Sequence, residues 1–253
     1  YLKVKHGLKP TTLAEAEACA RVREGLGGLR AEERERLPER WLQELWATDL
    51  LRFVRANRRD PDAALAQLLE SGAWRKEFGA DEVIRDPAYS VRGFFNQQEP
   101  EVEWTPPQTT RNPGQPLLIY RSALHQPKGR ESEAWVRFFV HQCEFARAAF
   151  PDHQVAVIID RIGSGLSNQD PSVLKALVPV ITRHYPQIVS RVYIAPVDTI
   201  LFVIWSLVSL IMDEESRSRI RLIKGKDWKD QLAKYLDAGA LPARLGGLGG
   251  QRT

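Results

Sequence analysis

Of the 253 residues only two are cysteines, Cys19 and Cys143. They stand far apart, with no metal-type spacing around either, so they read as reduced, buried thiols rather than a disulfide framework. No Lys/Arg block reaches five residues, and no zinc-finger or RNA-binding aromatic motif occurs, which argues against nucleic acid as a partner. The opening YLKVKHGLKP lacks the apolar centre of a secretory signal. No apolar run reaches the roughly 18 to 20 residues that a membrane-spanning helix needs. His6, His125, His141, His153 and His184 show no metal-ligand spacing and read as surface or structural residues.

Catalytic signatures are missing too. RIGSGLS has no glycine two positions before Ser164, so it is no nucleophile elbow. GSGLSN breaks the dinucleotide-loop pattern at Asn168, and KGKDW lacks the upstream glycine of a phosphate loop. Asp160 follows an apolar run, where α/β enzymes often place an acid. A carboxylate capping the next turn is the preferred reading. The sequence therefore assigns no catalytic residue, no metal and no cofactor, and predicts a protein that is not an enzyme.

What is present is a globular composition, 43% hydrophobic and 27% charged, with a net charge of +4. Mild basicity suits an anionic partner such as lipid headgroups. The first half reads as helices. Thr12 to Glu15 has the capping-box pattern, Pro38 breaks the stretch from Ala31 towards Ala56, and Asp60-Pro61 opens another helix. Prolines 87, 100, 106, 107 and 113 mark residues 86–115 as a connector of loops and short elements. The second half alternates: strand at 117–120, helix at 131–149, strand at 155–159, helix from Asp170-Pro171 to His184, strand at 192–194 and strand at 220–223. Pro179 should kink the helix around it. This order predicts an α/β unit with a mainly parallel sheet.

One segment stands out. TILFVIWSLVSLIM, Thr199 to Met212, carries polarity only at Thr199, Ser206 and Ser209. It is too short to cross a bilayer, and its pattern alone favours a buried core helix.

Three strings in order, DLLRFVRANRRDPDAALAQLLESGAWRKEFG, VAVIIDRIGSGLS and HYPQIVSRVYIAPVDTILFVIWSLVSLIMDEESRSRIRLIKG, closing on LPARLGG, resemble the CRAL-TRIO lipid-binding family. The likeness is to its yeast-type phosphatidylinositol/phosphatidylcholine transfer members and covers about residues 40 to 247. It implies a helical N-terminal lobe over 1–90, then an α/β lobe over 91–247 and a short tail over 248–253. The lobe's mainly parallel sheet floors a hydrophobic lipid pocket closed by a gate helix. The greasy segment then becomes that gate. A lipid carries dozens of methylenes, each worth about 0.8 kcal/mol out of water, so a carrier needs a large apolar cavity and a door.

The resemblance also assigns residues. The pocket is formed by Val155, Val157, Ile159, Val189, Val192 and Ile194 on the strands, and by Leu201, Trp205, Val208 and Ile211 on the gate. Phe202, Val203, Leu207 and Leu210 face the membrane or a neighbour. Arg58, Gln187 and Arg219, with Asn57 adjacent, match the positions that hold an inositol headgroup in the family. Two of these remain cationic, and arginine grips phosphate with a bidentate fork. Val155 and Val157 replace the hydroxyl residues of the phosphatidylcholine-binding members, which speaks against that headgroup mode. Arg217, Arg219 and Arg221 fall on one face if that stretch is extended, and with Lys224, Lys226 and Lys229 they form a basic cluster suited to anionic membrane.

The implied ligand is one phospholipid, most simply phosphatidylinositol, exchanged between membranes by a monomer that is cytoplasmic and touches membranes transiently, with organellar placement open. Two other readings stay open: a carrier of a tocopherol- or retinoid-like molecule, and a lipid-sensing module within a regulator. The small to medium side chains of Val155, Val157 and Val189 favour an open pocket over a filled one.

Overall fold

The computed structural model of the chain describes residues 9–96, 99–105, 115–212 and 214–248. The chain divides into two compact units: Tyr1–Ser90 with Glu133–His153 and Ala176–Ile188, and Val91–Ser132 with Gln154–Lys175 and Val189–Thr253. The helical unit thus takes in two later segments that sequence order alone assigns to the second lobe.

The helical unit begins with α1 (Leu13–Gly27), α2 (Ala31–Glu35), α3 (Glu39–Gln43), α4 (Ala47–Ala56), α5 (Pro61–Phe78) and α6 (Ala80–Val83). Thr12 caps α1 by accepting from the Glu15 amide at 3.2 Å, while the Glu15 carboxylate turns to the Thr11 amide and to Arg55. Asp60 caps α5 ahead of Pro61, and Gly79 closes it in the left-handed conformation at φ 72°. The stretch from Ala31 to Ala56 breaks twice. Pro38 makes the expected break, and Trp46 makes another because it is extended, with its amide donating to Asp49 at 3.0 Å. Ala18 and Val22, Leu50, Phe53 and Val54, and Ala64 and Leu68 repeat at helical spacing and pack with Trp41 into one core.

Among the described residues the second unit carries α7 (Val91–Phe94) and one five-stranded sheet in the order β1-β2-β3-β4-β5. The strands are β1 (Val102–Thr105), β2 (Leu117–Arg121), β3 (Val155–Asp160), β4 (Val189–Val197) and β5 (Ile220–Lys224). β2 to β5 are parallel, and β1 runs antiparallel to β2. β1 lies in the stretch expected to be a connector. Four residues that pair on one side only leave little trace in the alternation. In chain order α8 (Ser132–Ala149) and α9 (Pro171–His184) fall between strands but belong largely to the helical unit, whereas α10 (Thr199–Val208), α11 (Glu214–Ser218) and α12 (Trp228–Ala233) belong to this one. α9 continues through Pro179. No described helix is long and apolar enough to cross a membrane.

The two faces of the sheet are unequal. One face presents Leu117, Ile119, Ala156, Ile158, Tyr193, Ala195 and Ile223, which pack against Leu232, Leu241 and Leu245 into a buried core. Strand period two puts Leu118, Tyr120, Val157, Ile159, Val192, Ile194 and Leu222 on the other.

Candidate functional site

On that second face the register is continuous. Val157 lies between Leu118 and Val192, Ile159 lies between Tyr120 and Ile194, and Ile194 faces Leu222. Leu118 and Ile194 are buried, whereas Val157, Ile159, Val192 and Leu222 are only half-buried. Val155 is buried at a register shift, and Val189 is half-buried beside it. An apolar floor thus stays partly uncovered while its reverse side is sealed.

The apolar segment forms α10, prolonged by a 3-10 turn at Ser209–Ile211. Leu201 is buried and Trp205 half-buried, while Phe202 is 55% exposed and Leu210 79% exposed. The side chains of Val203, Leu207, Val208 and Ile211 lie outside what is described.

Asn57, Arg58 and Gln187 belong to the helical unit and Arg219 to the sheet unit. Arg58 sits in the turn joining α4 to α5 with φ 53°, and Arg59 follows with φ 72°. Such angles are uncommon outside glycine. The Arg59 amide closes the turn onto the Val54 carbonyl at 2.8 Å, and both arginines are exposed. Asn57 has a structural engagement that sequence reading missed. Its amide donates to the Phe53 carbonyl at 2.9 Å and to Gln67 at 2.6 Å, and Gln67 donates to the Arg183 carbonyl at 2.8 Å. The end of α4 is thereby fixed to the end of α9, four residues before Gln187. Gln187 is half-buried with φ 57°. Arg219 is half-buried and donates to the Val189 carbonyl at 2.7 Å.

The shared basic face expected for Arg217, Arg219 and Arg221 does not form, because Arg217 lies in α11 and only Arg221 lies in β5. The Arg221 guanidinium sits 4.6 Å over the Tyr235 ring and donates to its hydroxyl at 3.0 Å. Arg217, Arg221, Lys224, Lys226 and Lys229 are all exposed.

Asp160 is a structural carboxylate. It accepts from the Ile162 amide at 3.0 Å and from Arg244 at 2.8 Å, and Arg244 also holds Glu103 at 2.6 Å. His125 is buried, with Nδ1 3.0 Å from Glu101 and Nε2 3.4 Å from Asp170. Burial disfavours its protonation, but the two carboxylates outweigh this and its pKa is raised. His184 stacks on Trp74 at 4.1 Å. Burial and the Arg183 charge lower its pKa to about 4, so it is neutral.

The helical unit also holds a partly open cavity of about 30 Å³ lined by Trp41, Arg52, Trp74, Glu144 and His184 among others. It has room for water and not for an acyl chain. Arg52 beside it is buried, donates to the Pro151 and His153 carbonyls, and keeps Nε unpaired. Among the described residues no group of His, Cys, Asp and Glu could hold a metal ion.

Comparison with known proteins agrees with this architecture. The chain is 27% identical over 223 residues to "Protein real-time" of Drosophila pseudoobscura pseudoobscura, covering 78% of this chain and 31% of that protein. It is 27% identical to the phosphatidylinositol/phosphatidylcholine transfer protein SFH12 of Arabidopsis thaliana, covering 78% and 39%. It is 25% identical to the SEC14 cytosolic factor of Kluyveromyces lactis, covering 78% and 69%. The chain thus spans about a third of the first curated relatives it matches. The crystal structure of Sfh5 superposes with a TM-score of 0.69 over 90% of this chain and 85% of that one, at 13% identity, a likeness of fold. The CRAL/TRIO domain profile matches residues 108–247, more than half of the sequence, and the chain belongs to the CRAL/TRIO domain family.

Proposed function

We propose that the protein binds one lipid against the half-buried sheet face, beneath α10, and exchanges it between membranes. The observation that carries this is the asymmetry of the sheet. Ile158 is 0% exposed on the packed face, while its neighbours Val157 and Ile159 on the other face are half-buried. Apolar area left partly uncovered is unfavourable at roughly 25 cal/mol per Å², and a lipid chain relieves that. Relatives named as phosphatidylinositol/phosphatidylcholine transfer proteins and as a SEC14 cytosolic factor support the reading.

Within it, the ligand is a phosphoinositide-type phospholipid. Taken each in its own unit, Arg58 and Arg219 match cationic headgroup positions of the family and Gln187 matches one whose amide can bond inositol hydroxyls. Phe202 and Leu210 provide apolar membrane contact, and the exposed basic residues of β5 and its flanks provide attraction to anionic headgroups, at about 1 kcal/mol per charge near the surface. On this reading the protein works as a monomer in the cytoplasm, peripheral to membranes, and performs no covalent chemistry. The valines at 155 and 157 favour a second reading, a carrier of a tocopherol- or retinoid-like molecule, because they offer no hydrogen bond. A third reading, a lipid-sensing module within a regulator, stands beside these two.

Native mass spectrometry of the purified protein, with extraction of the bound lipid, tests these together. A phospholipid that is lost in the Arg58→Ala and Arg219→Ala variants supports the first reading. A neutral lipid unaffected by them supports the second. No lipid and no transfer between liposomes would sink both.

A further inference from the structure

We propose that Arg161 and Asp198 form the pivot of α10, a latch that fixes the first turn of the helix while its far end moves. The proposal rests on the lipid-exchange reading and adds two residues to it. Asp198 uses its two carboxylate oxygens for different tasks. Oδ1 accepts from the Leu201 amide at 2.8 Å and so caps α10, and the Asp198 carbonyl accepts from the Phe202 amide at 3.3 Å. Oδ2 lies 3.3 Å from Nη2 of Arg161. The helix start is therefore tied to the end of β3.

The two partners differ in exposure. The Arg161 side chain is 2% exposed and that of Asp198 46%. Arg161 also donates to Ser164 Oγ at 3.2 Å, its backbone amide donates to the Ala195 carbonyl at 2.8 Å, and its Nε has no partner. Asp198 is the carboxylate that faces this guanidinium, so separating them would strand a buried positive charge. The far end of α10 relaxes into the 3-10 turn Ser209–Ile211, and Leu210 is 79% exposed. Ser206 and Ser209 bond back to the carbonyls of Phe202 and Ser206, a pattern that weakens and bends helices. A helix pinned at one end and loosened at the other opens from the loose end.

The test uses Asp198→Asn, which keeps an oxygen for the Leu201 amide and removes the charge, and Arg161→Gln. Hydrogen exchange should show the Leu201–Trp205 amides better protected than residues 208 to 212 in the parent. In either variant that gradient should flatten. Release of bound phospholipid into acceptor liposomes should speed up about ten-fold, the effect of losing a partly buried ion pair. The double variant should be no faster than either single one, and Arg161→Lys should restore slow release. An unchanged gradient, or additive effects of the two changes, overturns the latch. If the parent carries no lipid, the lipid-exchange reading fails while the exchange gradient still decides the latch. If Arg161→Gln does not fold, Asp198→Asn, at a half-exposed position, carries the test.

Discussion

The Tyr185 phenol donates a 2.8 Å hydrogen bond to Oε1 of Glu144, a side chain only 1% exposed. The same oxygen takes Nη1 of Arg75 from α5, and Arg147 lies 3.5 Å from the other oxygen. One buried carboxylate therefore joins α5, α8 and the Tyr185-Pro186 turn. Burial alone would raise its pKa, but the Arg75 charge and hydrogen bond reverse this and hold it low. A depressed carboxylate stabilises the fold above its unfolded value of 4.5, and the contribution is lost as pH falls through the lower, folded value. Glu144→Gln should cost about 3–5 kcal/mol in urea unfolding, because it strips a buried arginine of one of its two carboxylates. Tyr185→Phe should cost only about 0.5–1.5 kcal/mol.

His125 should give the opposite pH dependence. It bridges Glu101 and Asp170, the Tyr120 phenol also bonds Glu101, and the Asn168 amide holds the His125 carbonyl at 2.9 Å. Its folded pKa is raised, so its contribution is complete below its unfolded value of 6.5 and disappears as pH rises through the folded value. Melting curves should show the parent losing stability above about pH 6.5 to a greater extent than His125→Gln does. Equal slopes for the two proteins would remove His125 from that dependence.

The helices and parallel strands were legible because each declares itself within a short window. Thr12, Asp60-Pro61 and the apolar run at Val155 are local signals. β1 was not, because four residues at a sheet edge need partners from Leu117–Tyr120 to be recognised. The helical unit's later segments were hidden for a similar reason: the Arg75–Glu144 pair joins residues 69 positions apart. At the candidate site, the common sheet face of Val157, Ile159, Val192 and Ile194 could be read from strand alternation. The engagement of Asn57 with Gln67 and the Arg183 carbonyl could not, since no spacing encodes it. Arg161 and Asp198 are likewise ordinary charges until the fold brings them together.

Gly72, inside α5, is a contact point that composition would not single out. A Cβ there would lie 2.5 Å from Cζ3 of Trp41 and 2.6 Å from Cδ2 of Leu37, both buried. Gly72→Ala should gain roughly 0.8–1 kcal/mol of helix propensity but lose about 1–3 kcal/mol to overpacking, for net destabilisation. Gly27→Ala, where a Cβ meets nothing within 4 Å, should be neutral or stabilising by up to about 1 kcal/mol. Midpoints of chemical unfolding that move in the same direction for both would show that helix propensity dominates at Gly72.

The sheet's two faces should respond oppositely to substitution. Ile158 sits in the sealed core with Leu117, Tyr193 and Leu241, so Ile158→Ala should cost about 2–5 kcal/mol and leave lipid content per folded molecule unchanged. Val157, one residue earlier on the half-buried face, should behave otherwise. Val157→Trp adds bulk where a ligand is proposed to lie, so it should reduce bound lipid on extraction while changing the unfolding midpoint in the absence of lipid by less than Ile158→Ala does. Because adjacent residues on one strand are compared, differences in local backbone stability largely cancel and the contrast reports on what each face touches. If Val157→Trp unfolds the protein as severely as Ile158→Ala, the second face is a packed core and not a ligand floor. If it leaves both stability and lipid content unchanged, the lipid lies elsewhere.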